Sequence, residues 1–320
     1  DLFFSCSNER SDTKVTLPTI KTNALKNITE TTALSGGEIT NDGGGNIIAK
    51  GIVWNTSPNP TITLSTKSMD GSGNGIFESS LFNLLKGTKY YVRAYATNAA
   101  GTVYGDEIQF TTPDISTGLI VFYKYNNDAK DSGGKNYHGT AYNVTATEDR
   151  FGINSSSFNY AGSVFSYINY PSDITKNFNS DFSICLWVNH NYISSINNNN
   201  KIWFNYGSES DGLINLNQNG RINITHSASQ IISNTVLTSN KWYFIVLTYS
   251  SNPDILKLYV NGNLDTQLNK RFLDAWFSGS NRYGFSSSPK SGDNFSGKID
   301  DLRLYNIPLT EEQIKYLYNN

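Results

Sequence analysis

The carboxylates spaced most like a catalytic pair are Asp300 with Asp301 and Glu209 with Asp211. Glycoside hydrolysis needs two carboxylates flanking the scissile bond. Neighbouring residues of a strand face opposite sides of a sheet, so Asp300 and Asp301 are expected to point apart. Glu209 and Asp211 fall in the turn-like run Gly207-Ser208-Glu209-Ser210-Asp211-Gly212. The three histidines, His138, His190 and His226, are dispersed and lack zinc-ligand spacing. No nucleophile elbow surrounds any serine. These spacings predict a protein that is not an enzyme.

Binding chemistry is better supplied. Tyr192, Trp203, Tyr206, Trp276, Phe277 and Tyr283 fall within segments 189–212 and 272–288, which are rich in Asn, Ser and Gly. Aromatic faces stack on sugars while amides bond hydroxyls, so these segments are the expected rim of a carbohydrate site, with Trp276 the leading aromatic. For any one of these rings taken singly, a place in the core is the reading that residue type favours. Trp187 and Trp242 lie in strongly apolar runs and are expected inside, as is Cys185 in Phe182-Ser183-Ile184-Cys185-Leu186-Trp187-Val188.

The elements that must position these residues are strands. Only 16% of the 320 residues are charged and 13% are aromatic, with 20 Tyr and 17 Phe, a composition that suits half-buried pleated surfaces. The formal net charge of −2 gives no general pull towards nucleic acid. From residue 15 to 112, short alternating runs are broken by turn signals such as Asn41-Asp42-Gly43-Gly44-Gly45. Tyr90, Val92, Ala94 and Ala96 alternate with Tyr91, Arg93 and Tyr95, and Leu84-x-x-Gly87-Thr88-x-Tyr90 leads into that strand. This approach resembles the tyrosine corner of fibronectin type III sandwiches. Residues 113–118 read as a linker.

From 119 to 320 the chain resembles a laminin G-like, concanavalin A-like jellyroll. The residues that carry the resemblance are Asp131-Ser132-Gly133-Gly134-Lys135-Asn136-Tyr137-His138-Gly139, the apolar runs 182–188 and 241–249, the Asn261-Gly262 turn, and the closing run Phe295 to Asn306. The expected fold class is all-β, a fibronectin type III-like β-sandwich followed by a jellyroll. Residues 308–318 make a short helix, with a capping box from Thr310 and Gln313 and a staple from Leu309 and Ile314, expected to close one end of the sandwich.

The jellyroll resemblance implies a structural calcium ion held by Asp131 and by Asp300 or Asp301, with Asn126 nearby; Asp131 capping its own turn is the alternative. Leu2-Phe3-Phe4-Ser5-Cys6, followed by a polar stretch, resembles the lipobox of bacterial lipoproteins, so residues 1–14 are expected to be a lipobox remnant acylated at Cys6 and a stalk. The resemblances together imply a protein lipid-anchored at the outer membrane, on the cell surface, that binds carbohydrate or a surface protein. The alternatives are a structural accessory subunit of a surface assembly and a detached module of a secreted glycoside hydrolase.

Overall fold

The computed structural model describes residues 14–162, 166–177, 181–191, 200–205, 213–226, 229–269, 283–285 and 295–320. The chain divides into two compact units between Asp114 and Ile115.

The first unit contains β1 (Thr19–Lys26), β2 (Ala33–Asn41), β3 (Ala49–Asn55), β4 (Gly75–Leu81), β5 (Lys89–Asn98), β6 (Gly101–Tyr104) and β7 (Ile108–Thr111). One sheet runs β1-β2-β4; the other runs β3-β5-β6, with β7 also on β5. Ile20, Ala33, Ile39 and Phe77 from the first sheet meet Ile52, Trp54, Val92 and Ala94 from the second in one core. Alternation along β5 explains this, since Tyr90, Val92, Ala94 and Ala96 all turn inward. At its start the buried Tyr90 hydroxyl accepts the Leu85 N–H at 3.0 Å, which fixes the chain's entry into β5. Tyr95, on the opposite side of β5, is also buried, and its hydroxyl donates to Ser68 O at 2.7 Å.

The second unit begins with β8 (Leu119–Tyr123), β9 (Thr140–Tyr142), β10 (Val144–Thr147), β11 (Ser157–Ala161) and β12 (Tyr167–Asn169). It continues with β13 (Phe182–His190), β14 (Asn200–Asn205), β15 (Leu213–Leu216), β16 (Arg221–His226), β17 (Ser229–Val236) and β18 (Tyr243–Ser251). The last elements are β19 (Asp254–Val260), β20 (Asn263–Leu268), β21 (Tyr283–Phe285), β22 (Ser296–Tyr305) and the helix α1 (Glu311–Asn319). An eight-stranded sheet runs β10-β11-β22-β13-β18-β19-β20 with β8 on β22, and a seven-stranded sheet runs β17-β16-β15-β14-β21-β12-β9. Ile184, Leu186, Val188, Ile245 and Ile299 of the larger sheet pack against Ile168, Ile214, Leu216, Ile222 and Ile224 of the smaller one. The turn between β19 and β20 holds Asn261 at φ 51° and Gly262 at φ 77°, the left-handed pair a two-residue hairpin requires.

Strand β13 is buried along its whole length because both faces are covered. Phe182, Ile184, Leu186 and Val188 face the main core, while Cys185 and Trp187 join Phe244, Val246, Tyr259, Tyr305, Leu309, Ile314 and Leu317 in a second cluster. Helix α1 therefore covers the outer face of the larger sheet, where sequence reasoning expected it at an end of the sandwich. Its capping box is complete: Gln313 N–H donates to Thr310 Oγ1 at 3.3 Å and Thr310 N–H to Gln313 Oε1 at 2.8 Å. Ser183 Oγ ties β13 to the approach of the helix, donating to Ile307 O at 2.8 Å and accepting Leu309 N–H at 2.9 Å. Residues 115–118 are bound into this unit, with Ile115 against the second cluster and Gly118 O accepting Asn306 N–H at 2.9 Å.

Candidate binding site

The loop after β8 is organised by one carboxylate. Asp131 Oδ1 accepts the N–H groups of Phe122 at 3.1 Å and Gly133 at 2.7 Å, and Oδ2 accepts those of Lys135 at 3.1 Å and Tyr137 at 3.3 Å. The Asp131 N–H donates in turn to His138 Nδ1 at 3.1 Å. Both carboxylate oxygens are thus committed to backbone, as in the turn-capping alternative. Asn126 is exposed and follows Tyr125, whose φ is 55°.

Asp300 and Asp301 do not point apart. The register between β13 and β22 shifts between Cys185 and Trp187, and Asp301 takes φ 50°, so β22 bulges here. The extra residue turns both carboxylates onto one guanidinium: Arg150 Nη1 lies 3.0 Å from Asp300 Oδ2 and 3.1 Å from Asp301 Oδ2. Arg303 Nη1 adds a contact of 3.7 Å to Asp301. Burial and the neighbouring Asp301 push the Asp300 carboxyl up to about 8, against the pull of Arg150. Arg150 itself is set by the β10–β11 loop, in which Asp149 Oδ1 accepts Phe151 N–H at 2.8 Å and Ile153 N–H at 2.9 Å. Sequence reasoning missed Arg150; the signal was an Asp-Arg step ahead of the Phe151-Gly152 turn.

Among the described residues no group of three or more His, Cys, Asp or Glu side chains could hold a metal ion. The acids expected as calcium ligands do not fit that ion: Asp131 is saturated by backbone donors, and the charge between Asp300 and Asp301 is a guanidinium. His190 is buried with Nε2 at 3.2 Å from Leu237 O, and burial lowers its affinity for a proton. Burial likewise pushes the Cys185 thiol up to about 12, which makes it an inert core group. Trp187 is buried and Trp242 packs against the same outer cluster.

Of the expected rim aromatics, Tyr192, Tyr206, Trp276 and Phe277 lie outside the described residues, as do Cys6, Glu209 and Asp211. Trp203 and Tyr283 are placed by backbone alone: Trp203 is registered with Ile214 and Phe285, and Asn205 with Tyr283. Strands β14 and β21 are direct neighbours, so residues 203–205 of the first segment and 283–285 of the second pair in one sheet. At the β9 edge of that sheet Tyr142 and Tyr167 stand opposite each other with rings stacked at 4.7 Å, and Tyr142 is 41% exposed. Sequence reasoning did not single out this pair, whose rings lie on short strands with little period to read.

Residues 162–315 match the family described as the concanavalin A-like lectin/glucanases superfamily, laminin G type. No curated protein matches the chain. Domain 4 of a GH43 extracellular arabinanase from Geobacillus stearothermophilus, solved with arabinotriose, is similar over 62% of this chain and 98% of its own, at 20% identity and a TM-score of 0.50. The binding domain of botulinum neurotoxin serotype D/C is similar over 64% of this chain and 53% of its own, at 19% identity and a TM-score of 0.51. That of Paraclostridial Mosquitocidal Protein 1 is similar over 64% and 53%, at 17% identity and a TM-score of 0.52. The chain spans about half the length of these two toxin domains. At such identities the likeness is one of fold, and with the family match it makes residues 162–315 a concanavalin A-like domain of the laminin G type.

Proposed function

We propose that the protein is a non-enzymatic binding protein of the cell surface, lipid-anchored at the outer membrane through Cys6, whose jellyroll recognises carbohydrate. The fibronectin type III-like reading of the first unit makes it the spacer that holds the jellyroll away from the membrane. The observation that carries the binding reading is a concanavalin A-like fold in which, among the described residues, the adjacent acids Asp300 and Asp301 are both engaged by Arg150. The arabinanase domain solved with arabinotriose supports a glycan as ligand. The ligand edge is assigned to segments 189–212 and 272–288, with Tyr192, Trp203, Tyr206, Trp276 and Tyr283 as its aromatics. A toxin binding domain of similar fold, at 19% identity, was solved with rat synaptotagmin II, which supports a surface protein as the second reading.

A glycan array on the full chain, followed by calorimetry on the best ligand with Trp276→Ala, tests this. A stacked ring contributes on the order of 1–3 kcal/mol, so the variant should bind about tenfold to a hundredfold more weakly. Unchanged affinity in a folded variant would move the site elsewhere. Release of reducing ends from a polysaccharide, abolished by substituting one acid, would overturn the non-enzymatic reading.

A further inference from the structure

Tyr142 is the one exposed tyrosine among the described residues. It stands on β9, the end strand of the smaller sheet, whose three residues are all exposed. Its ring lies against that of Tyr167 on β12 at an interplanar angle of 18°, so one aromatic face is covered by the neighbouring strand and the other looks outward past the sheet edge. The next cross-strand pair is Ala141 with Ile168, and the one after it Thr140 with Asn169. Ile168 is buried in the core, so Tyr167 and Asn169 on either side of it, with their partners Tyr142 and Thr140, share the outer face. Thr140 is exposed and Asn169 half-buried, which sets a hydroxyl and an amide beside the two rings. Asn169 is in turn registered with Gly284 on β21, and Gly284 with Phe204 on β14, so the row continues, across a residue without a side chain, to the strands of the assigned ligand edge.

We propose that this patch is a second sugar-stacking subsite, at which the outward face of Tyr142 takes one ring of an oligosaccharide while Thr140 and Asn169 bond its hydroxyls; this deepens the carbohydrate reading given above and rests on it. The ring gives the C–H face of a sugar an apolar surface, and the amide and hydroxyl supply donors and acceptors next to it. None of the residues in the row is charged, which suits a neutral glycan better than a phosphate or an acidic peptide. Edge strands are ordinarily blunted with charge, and β9 presents a tyrosine in its place. A cross-strand stack accounts for the covered face of Tyr142; the face turned to solvent needs a partner of its own. Strands β14 and β9 are three strand spacings apart, about 14 Å, a span that a chain of sugars covers and a single sugar does not.

The test is a glycan array of mono- and oligosaccharides, arabinotriose included, probed with the full chain and followed by calorimetry on the oligosaccharides it takes up. Tyr142→Ala should bind these about tenfold to a hundredfold more weakly, and Tyr142→Phe, which keeps the ring, should bind them as the natural protein does. Since a cross-strand pair at an edge adds little, Tyr142→Ala should lower Tm by no more than about 3 °C. If that variant does not fold, Tyr142→Thr, which suits an edge strand, is read in its place. Oligosaccharide binding that is unchanged in folded Tyr142→Ala would overturn the subsite and leave the carbohydrate reading standing, with Trp276→Ala to test the first subsite separately. Tyr142→Phe binding as weakly as Tyr142→Ala would overturn the stacking role. A natural protein that takes up no glycan on the array would overturn both the subsite and the reading on which it rests.

Discussion

Replacing Asp131 by alanine removes the acceptor for four backbone N–H groups at once, those of Phe122, Gly133, Lys135 and Tyr137. Gly133 and Lys135 are exposed and their N–H groups can turn to water, whereas Phe122 and Tyr137 are half-buried. A donor left unsatisfied in a buried place costs about 1–3 kcal/mol, and bonds to a charged acceptor are at the strong end. Two such donors, plus a weaker loss at the exposed pair, give about 4 kcal/mol for the second unit. For a unit of this size that lowers Tm by about 10 °C. Asp131→Asn keeps one acceptor oxygen for two of the four donors and should fall about half as far. The assay is differential scanning calorimetry of the full chain, run with and without chelator. A Tm change in Asp131→Ala below about 3 °C would refute the capping argument. So would a chelator that brings the natural protein down to the melting temperature of the variant, because the carboxylate would then be acting through a metal.

Two further outcomes follow from the second unit. The Asp300 carboxyl titrates near 8 when folded, raised from its ordinary 3.8, so the folded state holds a proton that the unfolded state has lost between these values. The contribution of this carboxyl to stability therefore falls as pH rises from about 4 to about 8, and Asp300→Asn should flatten that part of the pH profile; an identical profile in the variant would count against the assignment. Ser183→Ala should cost about 1–3 kcal/mol in urea unfolding, because the Leu309 N–H it leaves behind is buried under the helix; a loss below about 0.5 kcal/mol would show that water replaces the hydroxyl.

What could be read beforehand was whatever a few consecutive residues decide. The alternation from Tyr90 to Ala96, the Asn261-Gly262 turn and the Thr310–Gln313 capping box are local, and each has the expected form in the structure. The bulge at Asp301 was not legible, because it depends on a register mismatch with β13, more than a hundred residues upstream. That mismatch reversed the inference that Asp300 and Asp301 diverge and brought in Arg150, which no spacing rule connects to them. The destination of α1 was hidden for a related reason. An amphipathic helix shows that it will cover an apolar face, and β13, apolar at successive positions, does not say which of its two faces still needs a cover.

Strand β22 lies between β11 and β13 and also pairs with β8, so Leu302 stands opposite Tyr123 and Ile299 opposite both Phe158 and Val188. Until residues 296–305 emerge from the ribosome, three other strands lack their common neighbour, and the inner face of the larger sheet has a gap at its middle. The nascent jellyroll is thus left waiting with β-edges open, a state prone to sticking to its own kind. A frameshift or stop ahead of residue 296 should therefore yield aggregated or degraded protein in place of a shortened but folded domain.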